Sequence, residues 1–229
     1  AFKNAALTVA NGDIIAIAQK VVSKAEGRLV NLSQVSPSAE AIVLGKKTEK
    51  DPRFVELVLQ ESREVLKARP GTLIVEHRLG FVCANAGSDH ANGRGSWGKP
   101  EDWVLLLPEN PDRSAELLRK QLEAATGARL GVLIIDSHGR AWRLGTVGVA
   151  IGLSGLPGLV DLRGKPDLFG YQLRITQVAA ADELAAAASL LMGQAAEASP
   201  VIHVRGFPYE LREADLKELL RPKELDLFR

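Results

Sequence analysis

The sequence predicts an α+β protein with mixed sheets and packed helices, and three observations carry that expectation. Short apolar runs bounded by turn residues, such as DIIAIA and VLII, read as buried strands. Longer segments with apolar residues three and four apart, one of them rich in alanine, read as helices. The 229 residues are 46% hydrophobic and 25% charged, which excludes a disordered chain and supplies apolar surface for a sizeable core.

Asn11-Gly12 is a turn signal, and residues 13–18 behind it read as a buried strand. Residues 19–28 (QKVVSKAEGR) then gather Lys20, Ser23, Lys24 and Arg28; in a helix Lys20 and Lys24 share a face, which composition alone assigns to solvent ahead of a polyphosphate. Helical periodicity through Phe54, Leu57, Val58, Val65 and Leu66 predicts a helix over 54–68. Strands are expected at 72–76, 104–107, 132–135 and 171–178, and helices at 112–126 and 180–198. The second of these helices carries Asp182 and Glu183 in its first turn, where they complement the helix dipole, and its alanines permit close packing. A short amphipathic helix over 210–220 stops before Pro222, and 221–229 forms a polar tail. Nothing repeats, and no low-complexity linker divides the chain. One domain over 1–229 is expected, with 108–111 the one candidate boundary between subdomains.

Composition narrows the function. Twenty-nine basic residues nearly cancel 28 acidic ones, so no general electrostatic attraction to nucleic acid or to an anionic membrane exists. The longest apolar candidate for a membrane span, 147–160, is broken by glycines and Pro157. The single cysteine, Cys83, rules out an intrachain disulfide and a thiol-only metal site, which fits a reducing, cytoplasmic setting. Residues 1–10 do not read as a signal peptide, and with no initial methionine a natural start upstream of Ala1 is one expectation.

Several motifs could carry chemistry. Gly93, Gly95 and Gly98 spell G-x-G-x-x-G, and 93–99 spell G-x-x-x-x-G-K, but no strand precedes, no helix follows, and Pro100 stands where a P-loop has Ser or Thr. A lid loop is the better reading. Asp89, with Asn92 three residues on, sits in a small-residue loop (NAGSDHAN); Asp136 ends an apolar run and is followed by Ser137, Gly139 and Arg140. A carboxylate at the C-terminal end of a strand points into the crevice where ligands bind, and two such loops could hold one or two Mg²⁺ or Mn²⁺ ions with phosphate oxygens completing the shells. Both aspartates read equally as Asx-turn residues. His90 and His138 lack a third soft ligand for zinc and read as supporting or surface groups. Gly193, Gln194 and Glu197 fall near the end of the alanine helix, where buried polar groups are costly unless used, or where the helix simply emerges into solvent.

The order QKVVSKAEGR, GFVCANAGSDHAN, LLPENPDRSA, IIDSHGRAWRLGTVGVAIG, ITQVAAADELAAAASLLMGQAAEASP and RPKELDLFR resembles the coenzyme F-420:L-glutamate ligase family over nearly the whole chain. The resemblance implies the family's own ligase fold in an intertwined homodimer, and GTP-dependent addition of L-glutamate to the deazaflavin precursor F-420-0, then to F-420-n. It makes Asp89, Asp136 and Ser137 metal ligands for two Mn²⁺ or Mg²⁺ ions, with a monovalent cation such as K⁺ a further candidate. It makes Ser23, Lys24, Arg28, Asn92, Gly193, Gln194 and Glu197 nucleotide contacts, with Gln194 or Glu197 also reaching a metal. No protein nucleophile is implied. Two departures stand out: His138 replaces the commoner phenylalanine and Ala91 the commoner serine, which bears on pocket shape. The family's P-x-[IL]-x-x-G-D-[DN]-[LI] segment, a backbone contact to GTP, is absent from the sequence, so weak GTP binding is expected. A related γ-glutamyl ligase with another carboxylate acceptor, or a GTP-binding module without turnover, are the alternatives.

Overall fold

The computed structural model of the chain describes residues 8–90, 95 and 97–226. Its elements in chain order are β1 (Ile14–Ala18), α1 (Gln19–Ala25), β2 (Leu29–Asn31), α2 (Ala39–Thr48), α3 (Pro52–Gln60), β3 (Ser62–Arg69), β4 (Thr72–His77), β5 (Val82–Ala84), β6 (Trp103–Leu105), α4 (Pro111–Thr126), β7 (Gly131–Arg140), β8 (Arg143–Ser154), β9 (Val160–Asp161), β10 (Gln177–Val178), α5 (Ala180–Met192) and β11 (Val201–Val204). The mixture of helices and several sheets is the class that the patterning predicts. The chain forms two units, one comprising residues 1–18, 111–137 and 147–219, the other residues 19–110, 138–146 and 220–229.

In the first unit the sheet order is β11-β1-β7-β8, with β1 parallel to β7 and antiparallel to β11. Ile14, Ile15, Ala16 and Ile17 are all buried, as expected of a central strand covered on both faces. Leu133, Ile135, Ala150 and Leu153 form one core with Ala181, Ala185, Ala188 and Met192 of α5. Alanine on the helix and glycine on the strand allow a close approach. A Cβ added at Gly148 would stand 2.5 Å from Ser189 Cβ and 2.6 Å from the Ala185 carbonyl oxygen. Asp182 ties α5 to β8 by accepting from the Ala150 amide at 2.9 Å.

In the second unit β3, β4 and β5 form an antiparallel meander, and β2 pairs with β6. Its core is built from Leu32, Ala41, Phe54, Val55, Leu57, Val58, Leu73, Val75, Ala86, Val104 and Leu106. Ser38 caps α2 by accepting from the Ala41 amide, and Asp51 caps α3 with Pro52 at its first position.

Several element bounds depart from expectation. The helix expected over 54–68 ends at Gln60, and β3 takes over from Ser62. Pro70-Gly71, with Gly71 at φ 73°, turns the chain back into β4, and the cross-strand ladder outweighs the helical spacing of Val65 and Leu66. The strand expected over 171–178 shrinks to Gln177–Val178, and the helix expected over 210–220 to one 3-10 turn at Leu216–Glu218. The strand at 132–135 runs on to Arg140. The glycine-broken run at 147–160 contributes the inner half of β8, and its glycines make room for α5 and Pro111. Among the described residues no helix is long and apolar enough to cross a membrane.

Candidate functional site

The Asp89 loop begins with three consecutive left-handed residues, Asn85 (φ 51°), Ala86 (φ 50°) and Gly87 (φ 66°). Asparagine and glycine tolerate that region, but an alanine there costs about 1–2 kcal/mol. The core holds it in place: Ala86 is fully buried, and a Cβ on Gly87 would stand 2.6 Å from Leu107 Cδ1. Asp89 is then fixed by two backbone hydrogen bonds with Leu105, at 3.1 and 2.9 Å. Its carboxylate accepts from Lys20 Nζ of α1. Beside it opens a cleft of about 260 Å³ lined by Lys50, Asp51, Phe54, Asn85, Ser88, Asp89 and His90. His90 stacks on Phe54 at 5.1 Å between ring centroids, and its Nδ1 lies 3.1 Å from the Trp103 carbonyl, an arrangement that requires Nδ1 to be the donor.

Residues 19–25 are helical, so Lys20 and Lys24 do share a face; Lys20 is engaged with Asp89, while Lys24 is exposed in the last turn. The Ser23 hydroxyl is buried and donates to Gln19 Oε1 at 2.7 Å, so a nucleotide reaching it would have to displace that bond. Arg28 is braced: Nε donates to the Leu107 carbonyl at 2.9 Å and Nη2 to Glu61 Oε1 at 2.7 Å. Glu61 also accepts from Arg78 Nε at 2.9 Å. Burial pushes the Glu61 carboxyl up, but the nearby His77 imidazole and the hydrogen bonds from Arg28 and Arg78 outweigh it and bring it down to about 2. Burial pushes the His77 imidazole down, and the Leu79 amide donates to its Nδ1, which leaves the proton on Nε2, 3.6 Å from Glu61. Sequence reasoning missed Glu61: a single glutamate after a helix carries no spacing signal.

In the first unit, Leu133, Ile135 and Ser137 share one face of β7. The first two pack with α5, and the third donates from Oγ to Gln194 Oε1 at 2.9 Å, just past the end of that helix. Gln194 Nε2 donates in turn to Ser189 Oγ at 3.0 Å. Two of the candidate segments therefore meet. Asp136 does not end its strand as expected, because β7 continues four residues further and pairs with β8. Nor do Gly193, Gln194 and Glu197 lie on the alanine helix: α5 ends at Met192, and 194–197 are exposed, so a penalty for burying them does not arise. Gly193 has φ 71° and ψ 179°, a conformation that essentially only glycine adopts. Glu197 Oε2 folds back to accept from the Ala195 amide at 2.8 Å, which holds its carboxyl below the usual range.

Asn92 lies outside the described residues, as do Gly93 and Arg94 of the glycine loop. Gly95 packs on Trp103, whose Nε1 donates to the Trp97 carbonyl at 2.6 Å. A 3-10 turn and then β6 follow, in place of the helix that a phosphate-binding loop requires. His138 lies 5.3 Å from the Phe81 ring. Among the described residues no group of three or more His, Cys, Asp or Glu gathers into a cage for a metal.

Comparison with known proteins adds family evidence. The family model described as F420-0:Gamma-glutamyl ligase matches residues 1–206. The chain is 46% identical over 221 residues to a coenzyme F420:L-glutamate ligase of Methanocaldococcus jannaschii, covering 96% of this chain and 86% of the relative. It is 48% identical to the enzyme of the same name from Methanothermobacter thermautotrophicus, with 96% and 85% covered. A third, from Methanosarcina mazei, is 41% identical with 95% and 83% covered.

Proposed function

The chain belongs to the F420-0:gamma-glutamyl ligase family, and from that premise we propose that it joins L-glutamate to F-420-0 at the expense of GTP. A carboxylate is a poor electrophile towards an amine. Transfer of the γ-phosphoryl of GTP onto the acceptor carboxylate gives an acyl phosphate and GDP. The deprotonated amine of glutamate then attacks the carbonyl carbon; the C–N bond forms, the bond to the phosphate oxygen breaks, inorganic phosphate leaves, and the amine nitrogen gives up a proton. Such chemistry asks the protein for positioning and charge rather than a nucleophile.

The observation that carries this reading is the Ser137–Gln194 hydrogen bond, which joins two segments 57 residues apart that the family resemblance names separately. Arg28, braced by Glu61, and exposed Lys24 are the cations offered to a polyphosphate, with Asn92 and Gly193 to Glu197 as further contacts. Asp89 in the second unit, and Asp136 with Ser137 in the first, each offer hard oxygens, the ligand chemistry that Mn²⁺ and Mg²⁺ prefer. Bound there, the ions would neutralise charge on the β- and γ-phosphates. A homodimer is part of the reading: Leu168, Phe169 and Ile175 of the first unit are 97%, 94% and 88% exposed, an apolar surface that a second copy would cover.

Incubation with GTP, Mn²⁺, F-420-0 and L-glutamate followed by mass spectrometry tests the reaction. A product heavier by one glutamate residue is expected, together with GDP and phosphate. GTP binding without product would leave a nucleotide-binding module, and product only with a different acceptor would move the specificity. Analytical ultracentrifugation tests the dimer.

A further inference from the structure

The cleft beside Asp89 carries two buried polar atoms, Asn85 Oδ1 and Ser88 Oγ, that have no hydrogen-bond partner among the described residues. Ser88 is 8% exposed. Native proteins rarely leave such atoms unsatisfied, and each calls for an explanation. Asn85 Oδ1 can only accept, and a hydroxyl can accept as well as donate. The complement to both is a group with several N–H donors, for which a primary ammonium is the simplest case. The strained Asn85–Gly87 turn presents them, with Asp89 next along the chain adding negative charge.

The opposite chemistry lines another part of the cleft. Lys50 is half-buried, its Nζ lies 5.9 Å from the centroid of the Phe54 ring, and it forms no ion pair among the described residues. Its neighbour Asp51, which also lines the cleft, is paired with Arg53 at 2.6 Å, so Lys50 is the cation offered to an anion. The stack of Phe54 on His90 also lines the cleft and offers an apolar surface suited to a short methylene chain. At about 260 Å³ the cleft is below the roughly 300–1,000 Å³ of sites for drug-sized ligands, too small for a nucleotide or a deazaflavin and ample for an amino acid.

We propose that this cleft is the L-glutamate subsite, taking the ammonium on Asn85 Oδ1 and Ser88 Oγ and a carboxylate on Lys50. The assignment of glutamate, rather than another acidic amino acid, rests on the ligase reading above. It places the amine that must attack on the same wall as Asp89, one of the residues offered to the phosphoryl-transfer site.

Ser88→Ala is the sharpest variant. Because the hydroxyl has no partner among the described residues, its loss should leave the melting temperature unchanged or raised, where an ordinary buried serine would lower it. L-glutamate binding to the full chain, followed by saturation-transfer NMR and calorimetry, should weaken about tenfold or more, as for loss of a hydrogen bond to a charged group. Lys50→Met, which keeps the stem over Phe54, should weaken it comparably. In turnover assays both variants should raise KM for L-glutamate and leave KM for GTP and F-420-0 unaltered. Wild-type glutamate affinity in both variants overturns the proposal, and so does a rise in KM for F-420-0 alone, which would give the cleft to the acceptor. Glutamate binding that depends on Ser88 in a protein that makes no product would uphold the cleft and overturn the ligase reading instead.

Discussion

Two polar segments leave regular elements through left-handed backbone, residues 85–89 after β5 and residues 193–197 after α5, and they are held in opposite ways. In the first, Ala86 is wholly buried, Gly87 is pressed against Leu107, and Asn85 and Ser88 keep unsatisfied atoms. In the second, the residues after Gly193 are exposed, and local hydrogen bonds fix them: Gln194 lies between Ser137 and Ser189, and Glu197 accepts from Ala195. Core packing can impose strain and leave polar groups for a ligand to complete, since the rest of the unit over-determines the backbone. A surface segment has no such backing, so its geometry must be satisfied internally and can be remodelled at little cost.

The largest effect should come from the strand beside the surface segment. Asp136→Asn keeps the side-chain volume and removes the negative oxygen that the proposed metal site would use. Product formation should fall by more than about 100-fold, since even residues that only support metal ligands are worth about 10–100-fold. Circular dichroism should stay that of the wild type. Wild-type turnover would break the idea that the loosely held side is as necessary as the buried one.

Glu61→Gln should give the next largest effect, this time on stability. It leaves two arginines facing a neutral amide in the second unit. The Glu61 carboxyl is held at about 2, below its ordinary 4.5, so its contribution is complete above the unfolded value and disappears as pH falls from about 4.5 to 2. The wild type should therefore exceed the variant by about 3 kcal/mol at pH 7 and converge on it near pH 2, measured by urea unfolding. A gap that persists into acid would mean that shape, rather than charge, is what Glu61 contributes.

The segments differ in how far the sequence disclosed them. The central strand at 14–18 and the alanine helix were legible, because burial on both faces and small side chains leave a local signature. So were Asp89 and the Ser137 and Gln194 segments as groups of candidate residues. The strand β3 was not, because Val65 and Leu66 fit a helical period and only pairing with β4 decides between the two. Nor were Glu61, His77 and Arg78 legible as one cluster with Arg28, since three elements far apart in sequence bring them together. The unsatisfied Ser88 hydroxyl is invisible in any pattern, because what marks it is the lack of a hydrogen-bond partner among the described residues.

Bracing of the cations extends the comparison to the nucleotide. Arg28→Lys keeps the charge and loses the fork that grips both Leu107 and Glu61; Lys24→Ala removes an exposed cation. If the 23–28 segment faces the γ-phosphate, each should weaken GTP binding about tenfold and GDP binding less, by calorimetry with Mn²⁺ present. Equal losses for both nucleotides would move the contact to the base, the ribose or the inner phosphates.

The smallest effect on stability, and the most direct test of the comparison, is Gly193→Ala set beside Gly87→Ala. Both glycines have positive φ, 71° and 66°, and both would place a Cβ in forbidden contact, 2.2 Å from Glu197 Cδ and 2.6 Å from Leu107 Cδ1. The obstacles differ in kind. Glu197 is an exposed, flexible side chain that can swing away after giving up its bond to the Ala195 amide, whereas Leu107 is fully buried and can move only with its neighbours. Gly193→Ala should cost about 1 kcal/mol, a shift of roughly 2–4 °C in Tm for a chain of this size, while weakening GTP binding by displacing Gln194 and Glu197. Gly87→Ala should cost about 1–3 kcal/mol more, the price of overpacking added to strain. Equal losses in the two variants would show that residues 193–197 are as rigidly backed as the Asp89 loop, and the contrast between core-held and self-held segments would fail.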